Sequence, residues 1–191
     1  MRVRLAASLL LCGVTGTAFG QPTLYTSEEL AFLAHMVVHH QQAIDMSALV
    51  PGRSERKPFL DYARYLAGAQ QAEIDQMTGL LQAAADRGQA APHHEMTGDP
   101  PMPGMLSKAQ MAALKAASGA QFERLWLEGM IRHHQGAVDM AMAQQQREFA
   151  GQRQPYGIAL MADDILTTQR AEIGMMKAWL VQWGLAPSLP R

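Results

Sequence analysis

The sequence predicts an all-α fold, a four-helix bundle made from two copies of one αα-hairpin, with a short extra helix before the third long helix. Three observations predict it. The stretch MVVHHQQAIDM, Met36 to Met46, returns ninety-four residues later as MIRHHQGAVDM, Met130 to Met140, identical at seven of eleven positions. The stretch QQAEIDQM (70–77) returns as QRAEIGMM (169–176), ninety-nine residues later. No alternating apolar and polar pattern competes with helical periodicity. Each half therefore reads as a His-His helix, a loop and a Gln/Glu/Met helix, and two such hairpins pack with approximate two-fold symmetry.

The N-terminus comes first. MRVR is followed by LAASLLLCGVTGTAFG, an apolar run too short to span a bilayer, with small residues at Ala18 and Gly20. This reads as a cleaved secretory signal over 1–20, leaving a single domain over 21–191. Leu11 before Cys12 is too large for a lipoprotein signal. Removing Arg2 and Arg4 leaves 14 basic against 17 acidic residues, a net charge of −3, with no basic face for nucleic acid. Cys12 is the only cysteine, so the mature chain has neither a disulfide nor a thiolate ligand. No later stretch is long and apolar enough to cross a membrane.

The helices follow in order. Thr26 and Glu29 form a capping box, so the first helix runs over 27–49 and stops at Pro51-Gly52. PGRSERKP is a polar loop, and Pro58 opens the second helix, which runs to Arg87 and ends at Gly88. The first half is thus 26–88. Four prolines and three glycines in residues 88–106 exclude regular structure there, which leaves a Met/His/Pro-rich loop over 89–106. Ser107 and Gln110 form a second capping box and open the short helix, 108–117, broken by Ser118-Gly119. The third long helix runs over 120–149. GQRQP is a loop, and the fourth helix runs over 156–183 with Gly184 as its C-cap, closing the half 107–184.

At about 100° per residue, Met36, His39, His40, Ala43 and Met46 share one broad face, as do Met130, His133, His134, Ala137 and Met140. Gln70, Glu73 and Met77 share a face of the second helix, matched by Gln169, Glu172 and Met176 in the fourth. In a bundle these faces point inward. A methionine at helical spacing is usually core filler. Four inward histidines are harder to assign to packing, because each neutral imidazole brings a donor and an acceptor that need partners. Glu73 and Glu172 suit the role of orienting the rings. Asp45 and Asp139 fall off this face and belong at the surface.

Imidazole with thioether and no thiolate selects copper, Cu(I) above all and Cu(II) as well. Zinc would more often use Cys, His and carboxylate. A di-iron carboxylate bundle needs Glu-x-x-His pairs, and this chain has none. The metal candidates are His39, His40, His133 and His134 with Met36, Met46, Met130 and Met140, supported by Met77 and Met176. His93, His94, Met96, Met102 and Met105 form a second candidate site on what reads as flexible loop backbone. His35, one turn before His39, is a further possible ligand whose counterpart is Gly129.

At MIRHHQGAVDMA (130–141), MVVHHQQAIDM, the two QxxEIxxM helices and the MPGM entry to FERLWLEGM, the sequence resembles the domain-of-unknown-function 305 (DUF305, CopM-like) family. The resemblance covers nearly all of the mature chain. It implies a ferritin-like four-helix bundle, secreted or periplasmic, in a family where some members look like copper-binding and copper-resistance proteins with Met and His ligands. Val38 stands where Arg132 does in the other half, so the halves need not be equivalent.

The expected function is a periplasmic or secreted copper-binding protein, not an enzyme, that sequesters or carries copper and contributes to copper tolerance. Its partners would be copper ions and a periplasmic copper exporter or chaperone, with the protein itself a monomer or dimer. A ferritin-like metal-dependent oxidase is one alternative. A bundle whose histidines serve structure or a partner surface is another.

Overall fold

The computed structural model describes residues 25–92, 102–149 and 156–186. It contains α1 (Ser27–Ser47), α2 (Lys57–Ala85), α3 (Lys108–Ala116), α4 (Gly119–Phe149) and α5 (Tyr156–Gln182), with no strand among the described residues. The expected boundaries hold to within two residues at each end. The signal segment 1–20 and His93, His94 and Met96 lie outside the described residues.

Local chemistry starts and stops the helices as the sequence dictates. Thr26 Oγ1 accepts from the Glu29 amide at 3.2 Å, and the Glu29 carboxylate accepts from the Thr26 amide at 2.7 Å. Ser107 and Gln110 make the same reciprocal pair at the start of α3. Pro58 sits in the first turn of α2, where its missing N–H leaves no bond unmade. Gly184 ends α5 at φ +66°, which turns the chain so that the Leu185 amide reaches the Leu180 carbonyl at 2.8 Å.

α1 packs along α2, and α4 along α5; the two hairpins meet through α1 on α4, and Phe59 and Tyr62 of α2 reach Trp179 of α5. The buried positions repeat at the sequence offsets. Phe59, Tyr62, Ala63, Leu66, Gln70, Ile74 and Met77 of α2 correspond, ninety-nine residues on, to Ile158, Met161, Ala162, Ile165, Gln169, Ile173 and Met176 of α5. Two apolar clusters result. One is aromatic, with Phe59, Tyr62, Phe122 and Trp126 packed with Met46, Met130 and Met176. The other is aliphatic, with Leu33, Ile158 and Ile165 packed with Met36, Met77 and Met161. The histidines of α1 and α4 belong to neither cluster and fall in sequence between their members.

The loop of the first hairpin is tied to α4. Ser54 in the α1–α2 loop donates to Glu123 Oε1 at 2.6 Å, and Arg56 Nε donates to Glu123 Oε2 at 2.8 Å. Trp126 Nε1 donates to the Met46 carbonyl at 3.0 Å, which satisfies an acceptor near the end of α1.

Candidate metal centre

α1 and α4 each present two adjacent histidines to the bundle interior, and all four imidazoles are buried. The His39 and His133 rings lie against each other across the α1–α4 contact, centroids 3.8 Å apart and planes tilted by 37°. His40 and His134 flank them, with centroids 6.5 and 6.2 Å from their neighbours. Every one of the four Nε2 atoms has a partner. His40 Nε2 lies 2.6 Å from Glu73 Oε2, and His134 Nε2 lies 2.8 Å from Glu172 Oε2. His133 Nε2 lies 2.9 Å from the His39 carbonyl, and His39 Nε2 lies 3.0 Å from the Pro103 carbonyl.

These partners are all acceptors, so each Nε2 carries the proton and each Nδ1 carries a lone pair. All four Nδ1 atoms are buried and have no protein hydrogen-bond partner. Burial drives the His39 pKa down to about 3, aided by the neighbouring His40 and His134. His133 is held well below the usual histidine range, first by burial and then by His39, His134 and His40. His39 and His133 are therefore held as neutral imidazoles with their acceptor nitrogens inside, which is the state a metal requires.

Glutamates orient only half of these rings. Glu73 and Glu172 hold His40 and His134 as the sequence suggested; backbone carbonyls hold His39 and His133. Among the described residues, no three His, Cys, Asp or Glu side chains come together as a ready ligand set. A donor set from these residues must therefore bring in thioether sulfur, and the antiparallel hairpins supply it. Met36 is one turn before His40 on α1, and Met77 is one turn after Glu73 on α2, which runs the opposite way. Both land one layer from the His40–Glu73 pair, fully buried in the aliphatic cluster. Met130 and Met176 stand in the same relation to His134 and Glu172, fully buried in the aromatic cluster. Imidazole nitrogens with buried thioethers fit copper, and the chemistry such an ion would find here is soft and neutral.

Two expectations need correction. Met46 is buried as expected, but its counterpart Met140 is only partly buried. Met140 packs at the edge of the aliphatic cluster and lines a surface groove with His35, Pro92 and Arg147. The second correction concerns the loop. Met102 and Met105 do not sit on flexible backbone: residues 102–106 are docked on the bundle with both methionines buried.

The seat for this strap explains the main mismatch in the repeat. Where α1 has Gln42, α4 has Gly136. A Cβ on Gly136 would lie 2.0 Å from the Pro103 carbonyl oxygen and 2.8 Å from Gly104 Cα. Gln42 clamps the other end, donating to the Leu106 carbonyl at 3.0 Å and accepting from the Leu106 amide at 2.7 Å. A Cβ on Gly129, where α1 has His35, would lie 3.2 Å from the Leu106 side chain. Asp45 and Asp139 are surface residues, each bonded at 2.9 Å to the glutamine one turn earlier.

Two features escaped the sequence reading. One is the Pro103 carbonyl as the partner of His39, which the Gln42/Gly136 mismatch signals. The other is Tyr62, buried in the aromatic cluster where its repeat counterpart Met161 is buried in the aliphatic one.

Comparison with known proteins follows this geometry. The profile of the family described as "Domain of unknown function (DUF305)" matches residues 29–155. A solved DUF305 fragment from Deinococcus radiodurans is 31% identical, with a TM-score of 0.73, covering 84% of this chain and 99% of its own. A DUF305 protein from Streptomyces coelicolor, described as secreted, is 30% identical with a TM-score of 0.68, covering 82% of this chain and 94% of its own. CopM in its Cu(I)-bound form is 28% identical with a TM-score of 0.62, covering 83% of this chain and 98% of its own. CopM has also been solved with Cu(II), with silver and in the apo form. No curated protein matches the chain.

Proposed function

This chain belongs to the DUF305 family, and from that premise we propose that it is an extracytoplasmic copper-binding protein that sequesters or carries the metal. The observation that carries the reading is the set of four buried imidazoles, each with Nε2 tied to an acceptor and Nδ1 unpartnered. A copper ion bound there would take Nδ1 of His39, His40, His133 or His134 together with thioethers drawn from Met36, Met77, Met130 and Met176. Glu73 and Glu172 hold the Nε2 protons of two of these rings, which fixes the ring planes and makes Nδ1 more basic. The similarity to CopM bound to Cu(I), Cu(II) and silver supports the metal class.

The secreted description of one relative supports export, and no helix among the described residues is long and apolar enough to cross a membrane. The role proposed is binding, not turnover. Met46 and Met140 are outer candidates, Met46 within the aromatic cluster and Met140 at the groove. Met102 and Met105 are offered as strap residues beside the site, and a periplasmic copper exporter or chaperone as the partner that exchanges the metal.

The test is an anaerobic Cu(I) titration against a chromophoric chelator, repeated with Zn(II) and Fe(II). The expected result is tight Cu(I) binding that disappears when His39, His40, His133 and His134 are all replaced. Binding that survives those replacements would reassign the site, and oxygen consumption with Cu(I) or Fe(II) turnover would make the protein an oxidase.

A further inference from the structure

The two ends of the α1–α4 seam are related by the repeat and finished differently. Met46 bonds to Trp126, and His133 bonds back to His39, so α1 and α4 run antiparallel. The next step of the same size, about two turns, brings Phe32 opposite Met140, and these two line one groove together with His35.

At the other end of the seam the repeat puts Gly129 and Met46 in the places of His35 and Met140. There a Cβ on Gly129 would lie 3.3 Å from Met46 Cε and 3.2 Å from a Leu106 methyl. The methionine methyl thus lies against position 129, and the strap fills the space that an imidazole would need. By the same two-fold relation position 35 stands against Met140, and at this end the imidazole is present. His35 and Met140 are both only partly buried. The groove they share has a volume of about 490 Å³, room for an ion and several waters. Glu28 and Arg147 line it with opposite charges that offset each other. What the groove offers a cation is therefore its donor pair, an imidazole nitrogen and a thioether sulfur. That pair suits a soft monovalent ion over a hard divalent one.

Taking its metal class from the copper reading, we propose that His35 and Met140 form a second, solvent-open site for a soft monovalent cation, one turn of α1 from His39. It differs from the buried layer in strength and access. Two protein donors completed by water make a weak site whose ion exchanges quickly, whereas the buried imidazoles hold theirs away from water. The repeat supplies a methionine at both ends of the seam, but only this end sets a histidine beside it and leaves water a way in.

The experiment uses the full chain with ¹³C-methyl methionine, titrated with Ag(I) as a redox-inert soft probe and followed by NMR. The Met140 methyl and the His35 ring signals should move together and continuously through the titration. His35→Ala should abolish the movement of the Met140 methyl and leave the response of the buried Met36 and Met130 methyls unchanged. Met140→Leu, which keeps the volume, should abolish the movement of the His35 ring. Both variants are compared at matched helical content by far-UV circular dichroism. A Met140 methyl that stays still in the unmutated chain, or moves as far in H35A, would overturn the outer site. Movement at His35 and Met140 with Met36 and Met130 still would support this site and remove the buried one. Stillness at all four would overturn both.

Discussion

Gly136→Ala is the sharpest test of the docked strap, because two physical effects predict opposite signs. Gly136 lies inside α4, and on a bare helix alanine in its place should stabilise by about 1 kcal/mol. The strap reverses this. The new Cβ would sit 2.0 Å from the Pro103 oxygen, 2.5 Å from its carbonyl carbon and 2.8 Å from Gly104 Cα. These are backbone atoms, so no side-chain rotation relieves the clash. Forcing an extra methyl into a packed contact costs about 1–3 kcal/mol. Lifting the strap also breaks the His39–Pro103 bond and loosens the two Gln42–Leu106 bonds, each worth about 0.5–1.5 kcal/mol. The net expectation is destabilisation by roughly 2–4 kcal/mol, read as a fall in Tm of about 5–15 °C for a chain of this size. Gly174→Ala is the control, since nothing lies within 4 Å of its Cβ, and it should raise stability by a few tenths to about 1 kcal/mol. Both are measured by thermal melts followed through far-UV circular dichroism. A Gly136→Ala melt at or above that of the unmutated protein would refute the strap's seating on α4.

Three further outcomes follow from the site. Glu172→Gln or Glu73→Gln should each weaken copper binding about 10–100-fold in the chelator titration, since the orienting charge on one ring is lost. Stability should fall as pH drops below about 6.5: His39 and His133 stay neutral when folded but protonate when unfolded, so the unfolded chain binds more protons. Each of the two adds a slope of about 1.4 kcal/mol per pH unit between the unfolded value and the depressed folded one, and urea midpoints from pH 7 to 5 should show a shallower slope in His39→Gln. Saturating Cu(I) should raise the melting midpoint, by the equivalent of about 2.7 kcal/mol at a hundredfold excess over Kd, and the rise should vanish when the four histidines are replaced.

The helices were legible in the sequence because their signals are local. A capping box at Thr26–Glu29, a proline at position 58 and a glycine at 184 each act within a turn of where they stand. The inward faces were legible because a duplicated pattern removes the ambiguity of any single residue: Met36 alone reads as filler, but Met36 with Met130 at the same place before His-His does not. What stayed hidden depends on contacts between distant segments. Glycine and proline in MPGM forecast irregular backbone correctly, yet the same residues let that backbone lie flat on Gly136, thirty-two residues away from Gly104. For Met140 the repeat fixes the angle on α4, which does place it against the aliphatic cluster, but not how much of the side chain a neighbour covers. The symmetry argument was also silent on Tyr62, which the matching motifs do not include.

The buried histidines also bear on why the repeat has been kept paired. Four buried acceptor nitrogens without protein partners would each cost about 1–3 kcal/mol if nothing met them, so together they rival the whole stability of an ordinary domain. Each is half of an otherwise satisfied ring, since the Nε2 proton is always placed on a carbonyl or a carboxylate. Selection for packing alone would more readily have filled these positions with leucine, as the flanking clusters show is feasible one turn away. The polar layer instead spends its donors on holding the rings and keeps every acceptor turned inward, a division of labour within each imidazole that has no use in a hydrogen-bonded core and an immediate use for an electrophile. A lone pair held in place and kept unprotonated down to low pH is what a metal ion selects over a proton. On this reasoning His39 and His133, buried and held unprotonated, are the pair whose replacement by leucine should stabilise the metal-free bundle while weakening copper binding, and a double variant that loses stability instead would show that their role is structural.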